Sequence, residues 1–310
     1  MTEPYFESGD VTLFHGDALE VARGLGSGSV RTIVTSPPYF GLRDYGEDGQ
    51  IGAEASVGEY VARMVALFRE LRRVLADDGT LWLNLGDSYS SSGSGTQGES
   101  GDRASRTFTA DGLRGRGGML PAKNLIGVPW RVAFALQEDG WILRSDIIWA
   151  KPNPMPESVT DRPTKAHEYL FLFAKSPRYY YDAEAIAEVG AGRTDLGKMR
   201  YEGRPNPGGW SDTGSRDSEV RNRRTVWDIA TVPFPGSHFA VYPPELIRPC
   251  IRAGSAPGDT VLDPFSGSGT TGAVATFEGR KYIGIDLNQE YLDLSLRTRF
   301  QQPTLTWEAS

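Results

Sequence analysis

The sequence predicts an open three-layer α/β fold built on a mostly parallel sheet. Three observations lead there. Short β-branched runs alternate with stretches of helical apolar spacing. A glycine-rich loop, Asp263-Pro-Phe-Ser-Gly-Ser-Gly-Thr-Thr-Gly272, follows one such run and opens a helix. Two successive prolines, Pro37 and Pro38, end another run and force the chain out of the sheet.

Taken in order, Val11 to His15 reads as an apolar strand stopped by Gly16-Asp17. Val30 to Thr35 is a second strand, closed by Ser36-Pro37-Pro38. Residues 56–76 place Tyr60, Met64, Leu67, Phe68, Leu71 and Val74 at helical spacing, and Asp77-Asp78-Gly79 ends that helix before a buried strand over 80–85. A helix over 124–138 and strands over 141–151 and 168–175 follow. Near the C-terminus come a helix over 244–253, a strand over 260–265, a helix over 268–278, a strand over 281–286 and a last helix over 289–299. Two segments interrupt the alternation. Residues 88–118 are rich in Ser and Gly, and residues 190–224 in Gly and Arg. The second segment reads either as a linker with solvated charge or as a loop that orders on phosphate.

Composition narrows the function classes. The 310 residues carry a net charge of −7, which argues against a basic, non-specific nucleic-acid coat. A local basic strip in an acidic protein still suffices to hold phosphates. One cysteine, Cys250, excludes a disulfide framework and a cysteine-based zinc site, and three scattered histidines give no metal-ligand spacing. No metal site is expected. No secretory leader and no membrane-spanning run is visible, so the expected setting is the cytoplasm.

Gly267 and Gly269 let the backbone turn sharply and approach a ligand, while the helix start offers free N–H groups to a carboxylate or phosphate. One strand later stands Asp286, an acid placed to accept both ribose hydroxyls of a nucleoside cofactor. A dinucleotide oxidoreductase competes, but the spacing differs from GxGxxG and the loop begins with an acid, Asp263. No Gly-Lys-Ser/Thr ending suggests a triphosphate loop. In the turn Ser36-Pro37-Pro38-Tyr39, the prolines remove two N–H donors and leave carbonyls and the Ser36 hydroxyl. That acceptor-rich corner with an aromatic ring suits an exocyclic –NH2, with Tyr39 stacking on the base.

Together the turn and the glycine loop resemble the S-adenosylmethionine (SAM)-dependent DNA amino-methyltransferases of the N4-cytosine/N6-adenine family. The likeness is to the permuted β arrangement, in which the catalytic turn precedes the cofactor loop. Further segments fit that order: His15-Gly16-Asp17-Ala18-Leu19, residues 80–87, Trp149-Ala150-Lys151-Pro152 and residues 238–246. The resemblance implies a Rossmann-like SAM methyltransferase fold with a seven-stranded mixed sheet, six strands parallel and one antiparallel at an edge. It implies a catalytic part over 1–154 and a target-recognition insertion over 155–235, of which 165–182 belongs to the core sheet. A SAM-binding part over 236–310 completes the chain. It also implies that Asp17 contacts the cofactor adenine and that His238 lines the cofactor site.

The Ser-Pro-Pro-Tyr form is associated mainly with N4-cytosine methylation, with N6-adenine as the alternative. Ser36 and the Pro37 carbonyl would take the hydrogens of a flipped base's amine, beside Pro38 and Tyr39. Phe265 would pack on SAM, Gly267 and Gly269 would lie beside its methionine moiety, and Thr270 near its carboxylate. Arg43, Arg193, Arg204, Arg221, Arg223 and Arg224 are candidate DNA contacts. Double-stranded DNA is the expected partner, with a cognate restriction endonuclease and a homodimer as further partners. C5-cytosine chemistry would need Cys250 as nucleophile, but its place in a short apolar helix reads as packing. Remaining rivals are a catalytically silent DNA-binding relative, and methylation of RNA, protein glutamine or a small molecule.

Overall fold

A computed structural model of the chain describes residues 3–42, 47, 49–90, 120–189, 220–231 and 242–300. Alternation along the strands decides the layering. In β3 (Val30–Thr35) Ile33 turns to one core cluster and Val34 to the other. In β4 (Leu75–Leu85) Leu81, Leu83 and Leu85 face the first cluster while Trp82 faces the second. A strand buried on both faces needs helices on both sides.

The first face is covered by α1 (Ala18–Gly24), α2 (Val57–Val74) and α3 (Val128–Glu138). The opposite face is covered by α4 (Pro244–Gly254), α5 (Thr270–Phe277) and α6 (Gln289–Ser295), the last continuing into a π turn over Leu296–Phe300. Helix α2 shows why such a stripe folds: Tyr60, Met64, Leu67, Phe68, Leu71 and Val74 are all buried. Its start is fixed by Ser56, whose Oγ accepts the Glu59 N–H at 3.2 Å.

Among the described residues the main sheet has nine strands. The remaining ones are β1 (Phe6–Ser8), β2 (Val11–His15), β5 (Ile142–Ala150), β6 (His167–Ala174), β9 (Val226–Asp228), β10 (Thr260–Asp263) and β11 (Lys281–Asp286), in the order β1-β2-β11-β10-β3-β4-β6-β5-β9. β7 (Glu188–Val189) and β8 (Val220–Arg221) form a separate antiparallel pair. The sheet thus has nine strands where seven were expected, the additional short strands β1 and β9 lying at its two edges.

One expectation needs correcting. The antiparallel strand of the central seven, β6, is not at an edge but lies between β4 and β5, antiparallel to both. Its run Leu170–Ala174 is buried, as an interior strand requires. Boundaries also shift. The first helix of the sequence reading stops at Val74, and β4 absorbs Asp77-Asp78-Gly79. A β-carbon on Gly79 would sit 2.7 Å from the Arg31 carbonyl, so only glycine lets β4 run this close to β3. Helix α3 begins at Val128 rather than at 124, behind Gly127, whose φ of 75° is left-handed.

Candidate active site

The site lies at the carboxyl ends of β3 and β10, neighbouring parallel strands that pair Val261 with Thr32 and Leu262 with Ile33. On one side of β10 the chain returns through β11 and β2, and on the other it runs through β3 and β4. Open α/β sheets place ligands at such a switch point. The proline turn leaves β3 and the glycine loop leaves β10, so two motifs far apart in sequence emerge side by side.

A hydrogen bond ties them together. Thr35 Oγ1 donates to Asp263 Oδ1 at 2.7 Å, immediately before Ser36. The Phe265 N–H donates to the same oxygen at 3.0 Å, while Thr271 Oγ1 and Tyr242 Oη donate to Oδ2 at 2.6 and 3.1 Å. Asp263 is buried, and burial pushes its carboxyl above the ordinary range despite the four donors. Its oxygens are spent inside the protein. Asp263, expected among the cofactor-binding residues, thus has its acceptor positions taken by the protein and ties the glycine loop to the end of β3.

Asp286 is placed differently. Oδ2 accepts the Gly267 N–H at 2.7 Å and Oδ1 accepts the Asn288 N–H at 2.9 Å. Each oxygen keeps a lone pair, and the side chain is only partly buried. Desolvation by burial raises its pKa to about 6. The carboxylate thus has acceptor capacity for a pair of vicinal hydroxyls. Asp17 caps α1, its Oδ1 accepting the N–H groups of Leu19 and Glu20 at 2.9 and 3.0 Å. It sits just past β2, whose neighbour is β11, so Asp17 and Asp286 end adjacent strands.

The glycines divide the labour. Gly267 has a φ of 50°, and a β-carbon there would meet nothing nearer than the Phe265 carbonyl at 3.9 Å, so its bare side faces open space. Gly269, at φ 76°, turns instead to the protein: a β-carbon would lie 2.8 Å from Ser295 Cβ. That contact under α6 requires glycine here, and leaves the backbone of Gly269 at the start of α5. Thr270 is buried as the first residue of α5, with its hydroxyl 3.4 Å from Ser268 Oγ. Phe265 is partly buried and packs against the first cluster.

At the proline turn, Ser36 and Tyr39 are partly buried. Tyr39 Oη donates to Glu168 Oε2 at 2.7 Å, lies 3.1 Å from Asn84 Oδ1, and accepts from Ser36 Oγ at 3.4 Å. Its ring lies so close over Gly86 that a β-carbon there would clash with it. Burial, then the negative charge of Glu168, push the phenol well above its ordinary range. Sequence reading foresaw a free stacking ring; the structure gives that ring an anchored hydroxyl. Pro37 is buried beneath the turn, and the Pro38 carbonyl accepts from Tyr60 Oη at 3.0 Å.

Sequence reasoning missed Glu168, Asn84 and Lys165, and took Lys151 only as part of a segment. Lys151 forms an ion pair with Glu168, and its ammonium lies 4.2 Å from the Trp149 ring centroid. Lys165 Nζ donates to the Asp87 carbonyl at 2.7 Å, and burial lowers its pKa. The signal available was the placement of Lys151 and Glu168 at the facing ends of β5 and β6.

The expected DNA-contacting arginines fare unevenly. Arg43, Arg193 and Arg204 lie outside the described residues, as does His238. Arg221 and Arg224 pair with Glu188 at 3.3 and 2.8 Å, and the Arg223 guanidinium stacks 4.5 Å from the Trp227 ring centroid. All three have local partners that fasten the β7–β8 pair and β9. Cys250 is fully buried in α4, its Sγ donating to the Leu246 carbonyl at 3.4 Å, and burial raises its pKa strongly. It has no route to act as a nucleophile. Among the described residues no cluster of acids, histidines or cysteine forms a metal site, and no helix is long and apolar enough to cross a membrane.

Known proteins resemble this chain in sequence and in fold. Residues 30–297 match the N6/N4 DNA methylase family. The chain is 52% identical over 300 residues to the type II methyltransferase M.Cfr9I of Citrobacter freundii, covering 95% of this chain and 89% of that protein. It is 51% identical over 285 residues to M.SmaI of Serratia marcescens, covering 90% and 87%. In three dimensions it is similar to the cytosine-N4-specific PvuII DNA methyltransferase, with a TM-score of 0.68 at 20% identity over 98% of this chain and 91% of that one. It is also similar to a DNA modification methylase of Thermus thermophilus solved with S-adenosyl-L-methionine, with a TM-score of 0.58 at 23% identity over 93% and 94% of the chains. The chain belongs to the N6/N4 DNA methylase family.

Proposed function

We propose that this protein methylates the exocyclic N4 of cytosine in double-stranded DNA, taking the methyl group from SAM. The observation that carries the reading is the joining of two motifs by the Thr35–Asp263 hydrogen bond, which holds Ser36 beside the glycine loop. The serine form of the turn and the naming of a fold neighbour as cytosine-N4-specific support cytosine over adenine. The naming of its relatives as type II methyltransferases supports pairing with a cognate restriction endonuclease.

SAM fits the crevice on the residues present: Asp286 has spare acceptors for the ribose, Asp17 stands at the next strand end, and Gly267 leaves room. When bound, SAM supplies an electrophilic methyl group on a sulfonium. The protein's part is to hold the base and make its amine a nucleophile. An amine conjugated with its ring is a poor one, and in a duplex it is paired and stacked, so the base must be flipped out. Ser36 Oγ donates its own hydrogen to Tyr39, so its lone pairs are left to accept from the amine. Accepting those hydrogens favours pyramidal nitrogen and localises the pair that attacks.

Nucleoside mass spectrometry of DNA treated with the enzyme and SAM tests the reading. N4-methylcytosine is the expected product; N6-methyladenine alone would move the substrate to adenine, and 5-methylcytosine would overturn the mechanism. Ser36→Ala should still bind SAM and lose most turnover, and unchanged turnover would remove Ser36 from the chemistry.

A further inference from the structure

We propose that Glu168 is the terminal proton acceptor of the transfer, reached from the target amine through the hydroxyls of Ser36 and Tyr39. This rests on the reading above. The geometry is a chain of donors that all point one way: Ser36 Oγ donates to Tyr39 Oη at 3.4 Å, and Tyr39 Oη donates to Glu168 Oε2 at 2.7 Å. Of the two acceptors near Tyr39 Oη, the carboxylate is closer than Asn84 Oδ1 at 3.1 Å, and a charged acceptor makes the stronger bond. The Glu168 side chain is 16% exposed and its Lys151 partner 18%, so water has little access to this end of the chain.

As the nitrogen–methyl bond forms, the carbon–sulfur bond breaks and its electron pair leaves with the now neutral sulfur, so the amine nitrogen becomes positive. One amine proton passes to Ser36 Oγ, the Ser36 hydroxyl proton to Tyr39 Oη, and the phenolic proton to Glu168. The product is a neutral methylamino base and a neutral carboxyl, which returns its proton to solvent when the base leaves. Neither serine nor tyrosine changes its net protonation. The raised pKa of Tyr39 suits a group that conducts a proton without keeping a charge. Serine alone is too weak a base to finish the step.

Several charged groups surround Glu168. Lys151 approaches from the end of β5, Lys165 acts on it from the segment before β6, and Asp87 stands behind Lys165. Tyr39 and Asn84 face it from the turn and from β4, and His167 and Tyr169 flank it in β6. The two lysines flank the carboxylate at the far end of the chain of hydroxyls, and a preorganised negative group there favours the positive charge that develops on the amine.

The test uses the intact chain in single-turnover methylation at saturating SAM, so that cofactor binding does not enter. Glu168→Gln keeps an oxygen for Tyr39 but cannot take the proton; Tyr39→Phe keeps the carboxylate but cuts the path. Glu168→Gln is expected to slow transfer roughly 100-fold or more and to bind SAM and DNA normally. Tyr39→Phe, which cuts the same path, is expected to slow transfer by a similar factor, roughly 100-fold. A Glu168→Gln protein with the wild-type rate would overturn the relay, and so would full activity in Tyr39→Phe. If Glu168→Gln does not fold, the rate of Tyr39→Phe decides. A wild-type protein that leaves DNA unmethylated overturns the underlying function instead, which keeps the two failures apart.

Discussion

Two acids shape the crevice in opposite ways. Asp263 spends both oxygens on Thr35, Phe265, Tyr242 and Thr271, whereas Asp286 holds two backbone N–H groups and keeps acceptor capacity. The cost of burial shows in the Asp286 carboxyl, which titrates at about 6. Vicinal hydroxyls need the ionised form as acceptor, so SAM binding should be at full strength above that pH and weaken as pH falls through it. Bound hydroxyls stabilise the carboxylate, so binding near pH 6 should release a fraction of a proton. Calorimetry in buffers of different ionisation enthalpy reads both effects. Asp286→Asn should weaken binding at pH 8 and flatten the profile between pH 5 and 7; a wild-type affinity constant over that range would remove Asp286 from the cofactor site. Sequence alone placed Asp286 correctly at a strand end, because a β-branched run and a glycine loop are local signals. It did not show that Asp263 faces inward, nor that Glu168 meets Tyr39, because those contacts span 228 and 129 residues.

At the level of helices and strands, local chemistry decided what was legible. Strands β3 and β11 were read at their true bounds, since apolar β-branched runs end at proline or acid. Helix α1 escaped notice because it has only seven residues and one short buried face, Ala18, Val21 and Ala22. Strand β9 escaped because three residues just beyond the Arg-rich segment are too few to carry periodicity, and the interior position of β6 is a tertiary choice. The late start of α3 has a physical cause that can be tested. Gly127 offers no side-chain cap, and Asp87 supplies one from just beyond β4, its Oδ1 accepting the N–H groups of Gly127 and Val128 at 3.0 Å each. Asp87→Ala should therefore cost about 1–2 kcal/mol of stability, read as a lower urea midpoint with an unchanged slope. Asp87→Asn, which keeps one acceptor, should cost less. Equal midpoints for wild type and Asp87→Ala would mean that the helix start is held by other contacts.

The molecule as a whole is closed by its two ends. Strand β2 comes from the first residues described and β11 from near the last, yet they pair along five residues from Val11 with Tyr282 to His15 with Asp286. One side of the proposed cofactor crevice is therefore built by segments far apart in the sequence. The edge strand β1 contributes far less: it pairs with β2 alone, and its residues are half-buried or exposed. Tyr5 adds a hydrogen bond from its hydroxyl to Asp293 at 2.6 Å. Removing residues 1–8 should thus lower the melting temperature by a few degrees, the effect of about 1–2 kcal/mol in a chain of this size, and leave SAM binding intact. Removing residues 1–15 is a different matter, because it also deletes Val11, Leu13 and Phe14, all buried. Each such side chain contributes about 1.5–3 kcal/mol, which together rivals the entire stability of about 5–15 kcal/mol expected of a domain. That loss also exposes the edge of β11 beside Asp286. The longer truncation should give no cooperative thermal transition and no SAM binding, measured by calorimetry on purified protein. A cooperative transition in that protein would show that β11 and β10 hold the crevice without β2, and that the pairing of the chain's two ends is dispensable to the fold.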